Sequence, residues 1–161
     1  MDLRELYEAT GTRETTCAFA HSESGIGFEI TLRCQSRGAI DRVRRKYQTM
    51  RGRGANQQPD LDWPKMREWL IEKCLIGWDS LTFRKALLLC NSDPAHANGH
   101  MELLDQPMPF TPANARFLLE HGAEVEDFVW GKVLEIGGAV DAAEDSEKKI
   151  SPPTRTVSST T

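Results

Sequence analysis

The stretch IGFEITLRC, residues 26–34, decides the fold. Ile26, Phe28, Ile30, Leu32 and Cys34 alternate with Gly27, Glu29, Thr31 and Arg33, so five apolar side chains share one side of a pleated chain. That period of two predicts a strand with one buried face and one wet face. Upstream, residues 15–21 are rich in the β-formers Thr, Cys and Phe, and Ser22-Glu23-Ser24-Gly25 has the composition of a turn. The two segments pair as an N-terminal β-hairpin. Ahead of it, residues 1–14 read as a flexible arm. A short helix there through Leu3, Leu6 and Tyr7 would end at Gly11 with nothing to dock against.

Downstream the apolar period changes to that of a helix. Ser36 is placed to cap a helix reaching about Met50, because Ile40, Val43, Tyr47 and Met50 recur at helical spacing. Residues 51–59, with two glycines, Asn56 and two glutamines, show no periodicity and read as an exposed linker. Asp62 can cap the next helix and Pro64 suits its first turn. Met66, Trp69, Leu70, Cys74 and Ile76 then form an apolar stripe that carries this helix to Gly77 and Trp78, central to the core.

Residues 81–90 leave a short helix and a strand both open, and residues 91–99 form a turn-rich loop. Thr111 followed by Pro112 starts a helix, with Phe110 placed to staple onto Ala115, Phe117 and Leu118 facing inward, and Gly122 as the stop. Glu124, Glu126 and Asp127 favour the positive end of a last helix, whose apolar face is Val125, Phe128, Val129, Val133 and Ile136. Beyond Gly137 the chain turns to Ala, Glu, Asp, Lys, Ser, Thr and Pro, which bury too little apolar surface to offset ordering entropy. The expected organisation is α+β: a β-hairpin and a mainly α-helical body in one domain over 15–137, then a disordered tail over 138–161.

A chain of 161 residues with 39% hydrophobic and 27% charged residues has room for one core. Its longest apolar run, residues 86–90, is far below the roughly 20 residues a membrane span needs, and the first residues are acidic and polar rather than a signal peptide. The expectation is a cytoplasmic protein. Cys17, Cys34, Cys74 and Cys90 have no C-x-x-C spacing and sit among apolar neighbours, as reduced buried thiols do. Residues 31–60 carry eight cations against two carboxylates, or +6, which leaves −10 for the remainder of a chain whose net charge is −4.

Catalysis finds no foothold in these residues. His96 and His100 have ligand-like spacing, but Pro94, Asn98 and Gly99 oppose a helix there and no glutamate lies between them, so no metal or cofactor is expected. His21 and His121 stand alone in the sequence. Arg51-Gly52-Arg53-Gly54 lacks the strand-to-helix setting and the Lys-Ser/Thr of a phosphate-binding loop. Arg37, Arg42, Arg44, Arg45, Lys46, Arg51 and Arg53 remain as a basic patch. It reads either as a solvated face that pairs with acidic groups or as a grip on a nucleic-acid backbone.

The order of elements adds to these signals: a hairpin, the strand Phe28-Glu-Ile-Thr-Leu-Arg33, a helix with Ile40 and Val43, and then Ile71-Glu-Lys-Cys-Leu-Ile-Gly-Trp78. After a variable segment come Pro109-Phe110-Thr111-Pro112-Ala113-Asn114 and Leu118-Leu119. Over residues 15–137 this order resembles the tail assembly chaperones of long-tailed, siphovirus-like bacteriophages and prophages. In that family a helix ends in a Gly-Trp step and a Pro-Phe-Ser/Thr-x-x-Asn start leads into a Leu-Leu helix and one last helix. The chain departs from the pattern in a longer spacer over 79–108 and in a more arginine-rich basic helix.

The resemblance implies a non-enzymatic protein that binds the tape measure protein, helps recruit tail tube subunits, associates with itself as well as with these partners, and is absent from the mature virion. It also implies a longer form made by ribosomal frameshifting near the end of the gene, for which the tail beyond Gly137 would suit as a junction. A holdase needs uncovered apolar groups. Client contact is therefore expected on whichever of Trp69, Trp78, Phe117, Phe128 and Trp130 the fold leaves exposed. Two rival readings stand beside it: a small nucleic-acid-binding regulator using residues 37–53, and a metal-dependent enzyme at His96 and His100.

Overall fold

A computed structural model of the protein describes residues 13–150, with side chains through residue 139. Of the expected N-terminal arm, residues 1–12 lie outside the described residues, and of the expected tail, residues 151–161 do. The chain is α+β, opening with the predicted hairpin. Strand β1 (Glu14–Ala20) pairs antiparallel with β2 (Gly27–Arg33), from Glu14 opposite Arg33 to Ala20 opposite Gly27. The period-two reading holds on β2, where Phe28, Ile30 and Leu32 are buried and Glu29 is exposed.

The free edge of β2 takes a partner that helical periodicity concealed. Helix α1 (Arg37–Lys46) is followed by strands β3 (Gln48–Arg51) and β4 (Gln58–Leu61), and by α2 (Trp63–Lys73). The apolar stripe read as the end of that helix leaves it after Cys74, and β5 (Leu75–Asp79) pairs antiparallel with β2. The three-stranded sheet therefore runs β1-β2-β5. A strand buried on one face cannot leave its peptide groups unpaired, and the chain leaving α2 supplies them: Arg33 N–H donates to Cys74 O at 2.7 Å and the ladder continues to Asp79.

The expected helix to Met50 and the linker over 51–59 are likewise corrected. Ser36 does cap α1, its side chain accepting from Ala39 N–H, but the helix stops at Tyr47. β3 and β4 form a separate antiparallel ribbon, with Met50 opposite Pro59. Met50 is 56% exposed, so its place in the helical spacing was coincidental. At the ribbon's turn Gly52 has φ +106°, and a Cβ there would lie 2.4 Å from Asn56 O, which only glycine avoids.

Residues 79–110, ambiguous in the sequence, are ordered by contacts distant in the chain. Helix α3 (Phe83–Leu89) resolves the choice over 81–90, capped by Thr82. Short 3-10 turns occupy Pro94–His96 and Met101–Leu103. Arg84 binds Asp105 through two hydrogen bonds of 2.8 and 3.2 Å, and Met108 N–H donates to Leu81 O at 2.8 Å.

Helix α4 (Pro112–His121) starts as predicted, with the Thr111 side chain accepting from Asn114 N–H at 3.1 Å. Helix α5 (Ala123–Ile150) runs past Gly137, the last residue of the expected domain. A Cβ at Gly137 would meet Gln35 O at 3.0 Å and Ile40 Cδ1 at 3.1 Å, so this glycine permits close packing of α5 on α1. One continuous core gathers residues from Phe19 on β1 to Val133 on α5, with Leu32, Leu70, Cys74, Ala115 and Val129 fully enclosed. Among the described residues no helix is long and apolar enough to cross a membrane.

Candidate binding site

The fold disperses the five aromatic residues expected to meet a client. Trp69 of α2 stacks parallel to Trp130 of α5, with ring centres 6.2 Å apart and planes 9° from parallel, and Trp63 meets Trp130 edge-on at 6.4 Å. Trp78 of β5 packs edge-on against Phe110 at 4.8 Å, and its indole N–H donates to Met108 O at 2.7 Å. Phe110 thus pairs with Trp78. Phe128 packs on Phe19 at 5.2 Å. These four expected contact residues are half-buried and already partnered.

Phe117 is the most exposed of the five, although its ring also lies 4.3 Å from that of His121. The sequence placed it facing inward, yet it is 53% exposed. Ala115, Leu118 and Leu119 form the buried stripe of α4, and Phe117 is rotated from Leu118 by about 100° around the helix. Its ring forms one wall of an apolar groove of about 150 Å³. Phe83, Ala86, Leu87 and Cys90 make an i, i+3, i+4, i+7 ridge on one side, and Asn114, Phe117 and Leu118 make an i, i+3, i+4 ridge on the other, with Met108 between them.

The polar groups of this groove are quiet. Asn114 Nδ2 donates to Pro109 O at 2.9 Å. Burial pushes the Cys90 thiol up from its ordinary value, which keeps it protonated and weakly nucleophilic near neutral pH. No other ionisable side chain lines the groove. Leu88 on the same helix, and Met101 and Leu103 in the turns beyond it, are 43%, 51% and 45% exposed. Such a surface can offer apolar contact and shape to a partner; it holds no acid, base or nucleophile poised for a reaction.

The basic patch is assembled more fully than the sequence showed. Arg37, Arg42, Arg44, Arg45 and Lys46 are exposed on α1, while Ile40 and Val43 turn inward. Arg51 and Arg53 are exposed on the ribbon, with Arg51 paired to Asp60 at 2.7 Å. Arg42 and Lys46 line a second groove with Tyr47, Trp69 and Lys73, between α1 and α2. Lys46 and Lys65 lie 5.3 and 5.9 Å from the centre of the Tyr47 ring. Tyr47, Lys65 and Lys73 were missed in the sequence because they converge only when the two helices pack.

The histidines sort differently. His96 Nδ1 lies 3.5 Å from Asp93 Oδ2 on an exposed turn, and among the described residues no three His, Cys, Asp or Glu side chains cluster as a metal site. His21 does not stand alone. Its Nε2 is 3.0 Å from Glu124 Oε2, and Glu124 also accepts from Ser22 N–H at 2.7 Å, tying the hairpin turn to the start of α5. The Ser22 hydrogen bonds, with His21, hold the Glu124 carboxyl below its ordinary value. The four cysteines are free thiols, with Cys74 buried and Cys17, Cys34 and Cys90 half-buried. No family model, no curated protein and no solved structure matches the chain.

Proposed function

We propose that this chain is a non-catalytic binding protein that holds an apolar helical segment of another polypeptide. Its role would be that of a phage tail assembly chaperone, binding the tape measure protein in the host cytoplasm, promoting tail tube assembly, and leaving before the particle is complete. The observation that carries the reading is the groove between α3 and α4, with Phe117 standing 53% exposed on its wall. Two helix ridges splayed around an apolar floor present the surface that a third amphipathic helix fills. The acidic charge of the rest of the chain supports this role, since it keeps a complex with an apolar client dispersed. The tape measure identity rests on the motif order through Gly77-Trp78 and Pro109-Phe110-Thr111, and the groove accounts for the holding.

The test is co-expression with the tape measure protein encoded in the same genome. The client should stay in the supernatant with the wild-type chain and precipitate with the Phe117→Asp variant. In the complex, Cys90 should be shielded from iodoacetamide, read by peptide mass spectrometry, while the half-buried Cys17 on the distant hairpin keeps its reactivity. A client equally insoluble with and without the chain, or a genome with no tape measure and tail tube genes beside this one, sinks the proposal.

A further inference from the structure

A different part of the molecule concentrates positive charge beside flat rings. Arg42 and Lys46, one turn apart on α1, face Lys73 of α2 across a groove of about 420 Å³ that no carboxylate lines. Its aromatic walls are Tyr47 and Trp69. The parallel stack on Trp130 fixes the orientation of Trp69 before any ligand arrives. Among the described side chains, which end at residue 139, the ion pairs on this surface are Arg51 with Asp60, Lys65 with Asp62 and Lys73 with Glu72, and the cations of α1 have none.

These cations repel one another, and no carboxylate in the groove offsets them. Arg42 and Lys46 are like charges at i, i+4, a spacing that weakens a helix, and Arg44 and Arg45 add to the same field. A ligand that relieves the repulsion must bring several negative charges. To use the rings as well, it must bring planar groups at the same spacing as the charges.

We propose that this surface binds single-stranded nucleic acid, with phosphates on Arg42, Lys46 and Lys73 and a base against the wall made by Tyr47 and Trp69. An acidic polypeptide would satisfy the cations but carries no regular planar group for the rings. A duplex stacks its bases inside the helix, away from the Tyr47 and Trp69 rings. The site shares no residue with the Phe117 groove and does not rest on the client-binding role.

The probes are fluorescein-labelled oligothymidylate and oligouridylate of about 20 nucleotides, titrated with the full chain by fluorescence anisotropy. Saturable binding is expected at about 50 mM salt. With three phosphates neutralised, the logarithm of the association constant should fall with the logarithm of salt at a slope of about −2. Intrinsic tryptophan fluorescence should be quenched as bases reach Trp69.

The Arg42→Glu/Lys46→Glu variant alters exposed side chains only and should keep its melting temperature while losing at least about tenfold in affinity and flattening the salt slope. Tyr47→Leu keeps every charge and should weaken binding several-fold at unchanged slope, which separates stacking from charge. No binding at low salt, equal competition by polyglutamate, preference for a duplex of the same length, or an unaffected charge-reversal variant would each overturn the assignment.

Discussion

Replacing Phe117 by alanine should weaken client binding about thirtyfold with a modest loss of fold stability. The ring is 53% exposed, so of the roughly 200 Å² an aromatic side chain can bury, about 100 Å² remains in water for a client to cover. At about 25 cal/mol per Å² that surface is worth ~2.5 kcal/mol, and alanine retains part of it, leaving ~2 kcal/mol or about thirtyfold in affinity. Because the groove is open, truncation leaves no sealed cavity, and folding should lose only ~1–2 kcal/mol. Leu118, 3% exposed and one residue along, is the opposite case: Leu118→Ala should cost about 2–5 kcal/mol of folding stability.

The two effects are read separately, by urea titration of the free chain and by anisotropy of a labelled tape measure segment, with affinity expressed per folded molecule. Trp63, 49% exposed but outside the groove, is the matched control. If Phe117→Ala binds the segment as the wild type does, or if Trp63→Ala weakens it equally, the groove is not the holding surface and the reasoning from exposure fails.

Arg67 and Glu126 form an ion pair of 2.9 Å between α2 and α5, with side chains only 16% and 13% exposed. Arg67→Ala strands a shielded carboxylate and should cost about 3 kcal/mol in thermal or urea unfolding, whereas the double variant Arg67→Met/Glu126→Leu should recover most of it; equal melting of single variant and wild type contradicts this. Glu124, Glu68 and Asp105 are held below their ordinary values of 4.5, 4.5 and 3.8, chiefly by hydrogen bonds from Ser22, Arg116 and Arg84 respectively. A carboxylate with a lowered folded value stabilises above its unfolded value and loses that contribution as pH falls through the folded one. Stability should therefore be flat near neutrality and decline below about pH 4.5, and Glu124→Gln should shallow that decline. Burial pushes the Cys74 thiol up to about 12, so iodoacetamide at pH 8 should label Cys74 only after urea unfolding; native labelling at the rate of the half-buried Cys17 would refute its placement.

The residues whose reading survived are those whose conformation is set within a turn of themselves. β2 alternates because its own side chains alternate, α1 starts where the Ser36 hydroxyl accepts from Ala39, α2 where Asp62 accepts from Lys65 ahead of Pro64, and α4 where Thr111 accepts from Asn114. Each is a local bargain between a side chain and the nearest peptide groups, and a sequence displays both parties. The basic patch was legible for the same reason, as a run of charges on one short helix.

What only the tertiary structure decided is which surfaces meet. Leu75–Asp79 continues an apolar stripe that fits a helix, and it becomes a strand because β2, more than forty positions earlier, has an unpaired edge. Gly137 looks like the last residue before a polar tail until Ile40 and Gln35 are seen against it, and Phe117 looks inward until Leu118 and Ala115 are seen to fill that side of α4. Both grooves belong to this second kind: one needs α3 beside α4, the other α1 beside α2. Local propensity fixes the conformation of a segment, but exposure is a property of the packed whole, because a side chain is uncovered only where no distant part of the chain has reached it.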